Sequence, residues 1–246
     1  MELQYPTHTP RNDFLGLIRN RDVHQCLLRT AELHGHYCPG SALGVMASIY
    51  GLNLLGNDDI SSDGLENLMA IVETNACFAD GVQVVSGCTL GNNALVYRDL
   101  GRHAVTFAVR GNDTAIRVHV RSELRSWIDR LVPEFYPLME KVIKDRAGSK
   151  ADEAAFKLKG QEAAFALIQV DFEDILTAKA IQTAVPGYAP IVESIICPHC
   201  KEQIMTTKVV TEGPKAGLCL MCAGETYSQV EGSGIVKRGA SEEDLP

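Results

Sequence analysis

At 246 residues the chain has room for one medium-sized domain and a smaller one, and 46% hydrophobic with 22% charged residues is a globular composition that excludes global disorder. Its 23 basic and 31 acidic residues leave a net charge of −8, the wrong sign for a surface that neutralises nucleic-acid phosphates. No apolar run reaches about 18 residues, and the opening MELQYPTHTPRNDF lacks a basic head before an apolar stretch. A soluble, cytoplasmic chain without nucleic acid or membrane as partner is therefore expected, and in that reducing compartment its eight cysteines read as metal-binding or catalytic before they read as disulfides.

In chain order, Asp22 to His34 carries a helical stripe of Val23, Leu27, Ala31 and Leu33 that runs into HGHYCPG. Pro39 suits the first position of a second helix, with Cys38 as its cap and Ala42, Val45, Met46 and Ile49 as its buried face. After the polar loop GNDDISSDG, Leu68 to Val72 reads as a buried strand, and a short helix follows over ADGVQVVSG. The stretch NALVYRDLGRHAVTFAVRGNDTAIRVHVR alternates with period two around RDLGR and RGNDT, which predicts an antiparallel meander. Helices are expected over 122–132, 134–145 and 152–169, and a last strand within FEDILTAKAIQ.

This segregation of helices and strands predicts an α+β fold with a mixed or antiparallel sheet. Residues 1–190 form the expected core domain, VPGYAP (185–190) a stiff linker, 191–232 a cysteine-rich module and 233–246 an acidic frayed tail. In the module, Cys197 and Cys200 form one C-x-x-C and Cys219 and Cys222 another, with eighteen residues between them. That spacing fits a four-thiolate zinc site that is closed to substrate and folds a unit too small for its own core. A hairpin turning at EGPKAG between the knuckles and a short helix starting in AGETYSQV predict a treble clef, where a hairpin alone would be a zinc ribbon.

The other cluster is LHGHYCPGSALG. With Leu33 to Cys38 extended, the favoured conformation because Pro39 biases Cys38 away from helix, His34, His36 and Cys38 share one face; with the first helix continued to Cys38, His34 and Cys38 pair at i,i+4 and His36 points away. Cys38 at a helix start beside a histidine has the setting of a reactive thiolate, with His36 or His34 as base and Asp80 as orienting carboxylate. The same residues also suit a plain turn with a small buried cysteine. Cys77, Asp80 and Cys88 lie at the end of a strand and in a Gly-flanked loop, where fold-borne sites collect.

HGHYCPGSALG, NACFADG and VSGCTLGN in that order, with YRDLGRHAVTF, resemble the FmdE family, the small-subunit domain of formylmethanofuran dehydrogenase. The resemblance spans most of 33–120, and the cysteine module is similar to the finger that some members append. It implies an α+β core, a metal or active site built from His36, Cys38, Cys77 and Cys88, to which the motif's spacing adds His34 as a candidate ligand, and a homodimer, to which the small residues Gly44, Ala47 and Ser48 would lend a close-packing face. It further implies an accessory or redox-linked role beside a molybdenum or tungsten oxidoreductase. Family members follow the Gly-Cys-Thr loop with a Gly-Lys-Gly-Asn-like run, where this chain has GNNAL. Two other functions follow from the residues, a free-standing enzyme with Cys38 as nucleophile and an interaction module acting through the finger. Zinc is the expected metal of the finger, whereas histidine with thiolate in the core also suits iron, nickel or copper.

Overall fold

The structure, a computed structural model, describes residues 10–56 and 64–239. Residues 57–63 of the polar loop expected over GNDDISSDG (56–64) and the last residues of the acidic tail, 240–246, lie outside the described residues. The chain divides into two units, Met1–Gly187 and Tyr188–Pro246.

In the first unit, α1 (Asn12–Arg19) leads into α2 (Val23–His34), which starts where Asp22 accepts a hydrogen bond from the Gln25 amide at 3.0 Å. It stops at Gly35, whose left-handed φ of 82° is the backbone that glycine tolerates best. After three intervening residues α3 (Pro39–Leu55) begins, with Pro39 at its first position and Cys38 as cap, and with a reciprocal capping box between Cys38 and Ser41. Twelve of its 17 residues are buried, so α3 has no solvent stripe and forms the middle of the core, between α2, the later helices and the sheet.

The sheet has strand order β2-β1-β3-β4-β5, from β1 (Leu68–Val72), β2 (Leu95–Tyr97), β3 (Ala104–Val109), β4 (Thr114–Val120) and β5 (Leu176–Gln182). β1 continues into α4 (Cys77–Ser86), which returns the chain so that β2 pairs with β1 in parallel; all other pairings are antiparallel. The expected meander is therefore corrected in its first half. RGNDT does turn β3 into β4, but RDLGR carries the chain across the end of β1, because the crossover through α4 has already placed β2 on β1's far edge. On one face Phe107 and Val118 pack against α3 so closely that a Cβ on Gly51 would lie 2.8 Å from the Phe107 ring. Strand alternation turns Thr106, Arg117 and His119 to the opposite face.

Helices α5 (Leu124–Leu131), α6 (Phe135–Met139, continued by a π-helical turn at Glu140–Lys144) and α7 (Lys150–Leu167) follow, and α8 (Phe172–Ile175) leads into β5. Gly44, Ala47 and Ser48, expected to offer a face to a second copy, are buried within the chain. A Cβ on Gly44 would come 2.1 Å from the Phe78 carbonyl oxygen, and one on Gly81 would come 2.6 Å from that of Ser41. This pair of glycines lets α3 and α4 cross backbone to backbone.

The second unit contains β6 (Ser194–Ile196) paired with β7 (Gln203–Met205), then α9 (Leu220–Ala223), then a hairpin of β8 (Thr226–Glu231) and β9 (Gly234–Gly239). Two expectations are corrected. The segment after Cys222 is strand, not the helix that defines a treble clef, as suits the alternating, half-exposed TYSQVE. The tail begins later than 233, because Gly-Ile-Val-Lys-Arg-Gly completes that hairpin.

Candidate metal centre

The close crossing at Gly44 and Gly81 brings the N-termini of α3 and α4 side by side, and with them Cys38, the cap of α3, and Cys77, the first residue of α4. At Gly40 a Cβ would sit 3.0 Å from that of Cys77 and 3.8 Å from Cys38 Sγ. His34, on the last turn of α2, and His36, in the link to α3, complete the group. One nitrogen from each histidine and the two sulfurs all lie within 4.8 Å of one another.

The expected extended run from Leu33 to Cys38 is corrected: α2 holds its helix through His34 and Gly35 ends it. His34 and Cys38 are neighbours four residues apart, with Cys38 Sγ 3.6 Å from His34 Nε2, and His36 still folds back so that the two imidazole centroids are 4.3 Å apart. The left-handed turn at Gly35 achieves by reversal what strand alternation was expected to achieve.

Asp80, one turn into α4, places Oδ2 2.7 Å from His34 Nδ1 and accepts at Oδ1 from the Gln83 amide at 3.1 Å. A carboxylate on Nδ1 keeps a proton on that nitrogen, so that Nε2, which faces Cys38, is the nitrogen that can offer its lone pair to a metal once it gives up its own proton; this is the outer support that metal-bound histidines commonly have. The hydrogen bond from the Cys77 thiol, with others from Ser41 and His34 acting against burial, holds Cys38 down at about 4, and the same bond pushes Cys77 up. Burial opposes charge on His34, but its bonds to Asp80 and Cys38 outweigh this and raise its pKa. Two soft sulfurs and two imidazoles within one coordination radius, one imidazole already oriented, fit a tetrahedral transition-metal ion.

A cleft of about 460 Å³ reaches Cys38 and His36 between Tyr37, Phe135, Phe156 and Lys157. A neighbouring cleft of about 610 Å³ continues past His36 along Val142, Ile143 and Arg146. The centre is thus approached from a partly apolar groove with cations on its rim.

Cys88 is not brought to this cluster. Its fully buried thiol donates to the Leu68 carbonyl at 3.4 Å, and burial pushes it up to about 12. Asn92 closes the loop that follows, accepting from the Thr89 amide at 2.8 Å and donating to the Gly87 carbonyl at 2.7 Å.

In the second unit the sulfurs of Cys197, Cys200, Cys219 and Cys222 likewise lie within 4.8 Å of one another. Each pair sits on a tight turn: Lys201 N donates to Cys197 O at 3.0 Å, and Cys222 N to Cys219 Sγ at 3.3 Å. Backbone amides of Cys219, and then of Cys200 and His199, hold the Cys197 thiol down at about 6. All eight cysteines of the chain are free thiols, and among the described residues no helix is long and apolar enough to cross a membrane.

Fold and site together define an α+β protein with two separate thiolate-rich clusters, each able to hold a metal ion. A family model described as "FmdE, Molybdenum formylmethanofuran dehydrogenase operon" matches residues 33–177, more than half of the chain and all of the core cluster, and the chain belongs to the FmdE family. A protein of Archaeoglobus fulgidus described as a "Probable S-adenosyl-L-methionine-binding protein" is 41% identical over 214 residues, which are 86% of this chain and 56% of that protein, so the chain spans little more than half of that relative's length. A crystal structure of a tungsten formylmethanofuran dehydrogenase FmdE-like protein from Syntrophus aciditrophicus superposes with a TM-score of 0.50 at 19% identity, covering 82% of this chain and 92% of the other. That likeness is one of fold.

Proposed function

We propose that the core of this chain holds one transition-metal ion through His34, His36, Cys38 and Cys77, that the finger holds zinc, and that the protein serves in the cytoplasm as an accessory or redox-linked partner of a molybdenum or tungsten oxidoreductase. The observation that carries the core site is His34, oriented by Asp80 at 2.7 Å on Nδ1 and facing Cys38 Sγ with Nε2. The metal would supply a Lewis-acid or electron-transfer centre; the chain supplies the ligands, the carboxylate behind His34 and the groove that leads to them. The oxidoreductase partner rests on the family alone. So does a homodimer, now without Gly44, Ala47 and Ser48 to support it, and a monomer in sedimentation at micromolar concentration would remove it.

A second reading has its own observation. Cys38, His34 and Asp80 line up as nucleophile, base and orienting carboxylate, with His34 and not His36 as the base. In that role the aromatic-walled cleft would receive the substrate, and a ligand with a planar ring and a charged end, such as the S-adenosyl-L-methionine of the relative's description, matches Phe135, Phe156 and Lys157.

Alkylation followed by mass spectrometry separates the two. Rapid labelling of Cys38 only after chelation marks a ligand, and rapid labelling before and after marks a nucleophile. Labelling at the rate of an ordinary thiol of pKa about 8.5 would contradict both.

A further inference from the structure

The sheet face turned away from α3 carries a second concave site that the metal chemistry does not use. The lining of a cleft of about 480 Å³ includes Arg102, Arg117, Arg121 and Arg125 together with His103, His119 and Tyr136. Four guanidinium groups converge in a protein whose net charge is −8. Strand alternation explains how: Arg117, His119 and Arg121 are every second residue of RVHVR, Arg102 arrives from the crossing into β3, and Arg125 from the first turn of α5.

Among the described residues Glu73, Asp129 and Glu140 set negative charge against these four cations, Glu140 being held by Lys144 and reaching Arg125 only by longer-range attraction. Glu73, nearly buried, takes Arg117 through both oxygens at 2.7 and 2.9 Å and Arg102 at 2.7 Å, so one negative charge is shared by two positive ones. Asp129 stands 3.8 Å from Arg125, with both groups well exposed. Arg121 gives its Nε to the Glu173 and Leu176 carbonyls at 2.9 and 3.2 Å, which hold the side chain without cancelling its charge. Arg125 places its Cζ over the Tyr136 ring, 4.5 Å from the centroid, which positions the guanidinium without neutralising it. His119 senses the excess of positive charge: burial first, then Arg117, Lys179 and Arg121, keep it below the usual histidine range, with Glu73 opposing.

We propose that this cleft is an anion site that receives the diphosphate or polyphosphate end of a small molecule. Guanidinium forks match phosphate oxygens two at a time, and all four cations lining the cleft are arginine. Glu73 supplies the preorganisation, holding Arg102 and Arg117 in place before the ligand arrives.

Inorganic pyrophosphate is the probe, titrated calorimetrically into the full-length protein at low ionic strength while the imidazole proton signals of His119 are followed by NMR. Saturable binding at one site per chain is expected, with His119 signals moving along the same isotherm. Arg125→Glu, at a side chain 70% exposed and therefore tolerable to the fold, should weaken binding at least tenfold, and Arg121→Gln should weaken it as well. Absence of saturable binding would overturn the proposal. So would binding that both variants retain, or that leaves His119 unmoved, because pyrophosphate would then be held elsewhere, for instance by a bound metal.

Discussion

Asp80 decides which nitrogen of His34 is free. Asp80→Asn keeps the shape but removes the charge that fixes the tautomer, and should weaken metal binding at the core by about 10- to 100-fold while the finger keeps its affinity; competition with a chelator, read separately at the two sites, checks this. Glu73 is the second residue whose charge is placed by structure. Its bonds to Arg117, against burial and with Arg102 assisting, hold its carboxyl below the ordinary carboxylate range. A depressed folded pKa means that the stabilisation is fully present above the unfolded value of about 4.3 and is lost as pH falls through the folded value. Glu73→Gln, which leaves two arginines without their carboxylate, should cost about 3 kcal/mol at neutral pH and less on acidification, as urea unfolding at two pH values would show. At this scale the sequence was informative where ligands are close in the chain: the spacing of His34 and Cys38 pairs them in either backbone, whereas His36 joins them only because Gly35 reverses the chain. It misled at Cys88, whose Gly-flanked loop suggested a fold-borne site but delivers the thiol to a backbone carbonyl in the core. The arginine cleft went unread although RVHVR bears the signal, an alternation of charge along a strand.

Among elements, the crossing of α3 and α4 positions the centre. Gly44 and Gly81 each face backbone at distances that no Cβ occupies, so Gly44→Ala should destabilise the core by about 3 kcal/mol and pry Cys38 from Cys77, lowering core metal affinity in the same variant. Chemical unfolding and metal competition on one sample test both effects. Small residues on a helix announce close approach but not to what, and so their partner was misassigned to a second copy. The meander failed for a related reason: alternation identifies β2 and β3 as strands, but the edge each one takes depends on the helix between β1 and β2. Caps are local, and Pro39 with Cys38 at the start of α3 and the C-x-x-C turns were legible for that reason. The strand at 226–231 was missed because it follows the knuckle directly, where a short helix was expected.

For the whole molecule, the α+β architecture follows from segregated periodicities and the structure agrees with it. Two units imply two metal equilibria. Stripping the finger with a mild chelator should raise hydrogen exchange across 194–239 and leave α3 and the central strands protected, since the core has its own apolar cluster from α2, α3, α4 and the sheet; equal deprotection of α3 would argue against independent units. The central claim, that His34, His36, Cys38 and Cys77 form a metal centre, is tested most directly by cobalt(II) titration of the full chain carrying Cys197→Ser and Cys219→Ser, which leaves the core as the one intact cluster among the described residues. One equivalent of tetrahedral cobalt with a thiolate charge-transfer band, lost when Cys38→Ser is added, is the predicted result. Titration without a thiolate band, or a band that survives Cys38→Ser unchanged, would contradict it.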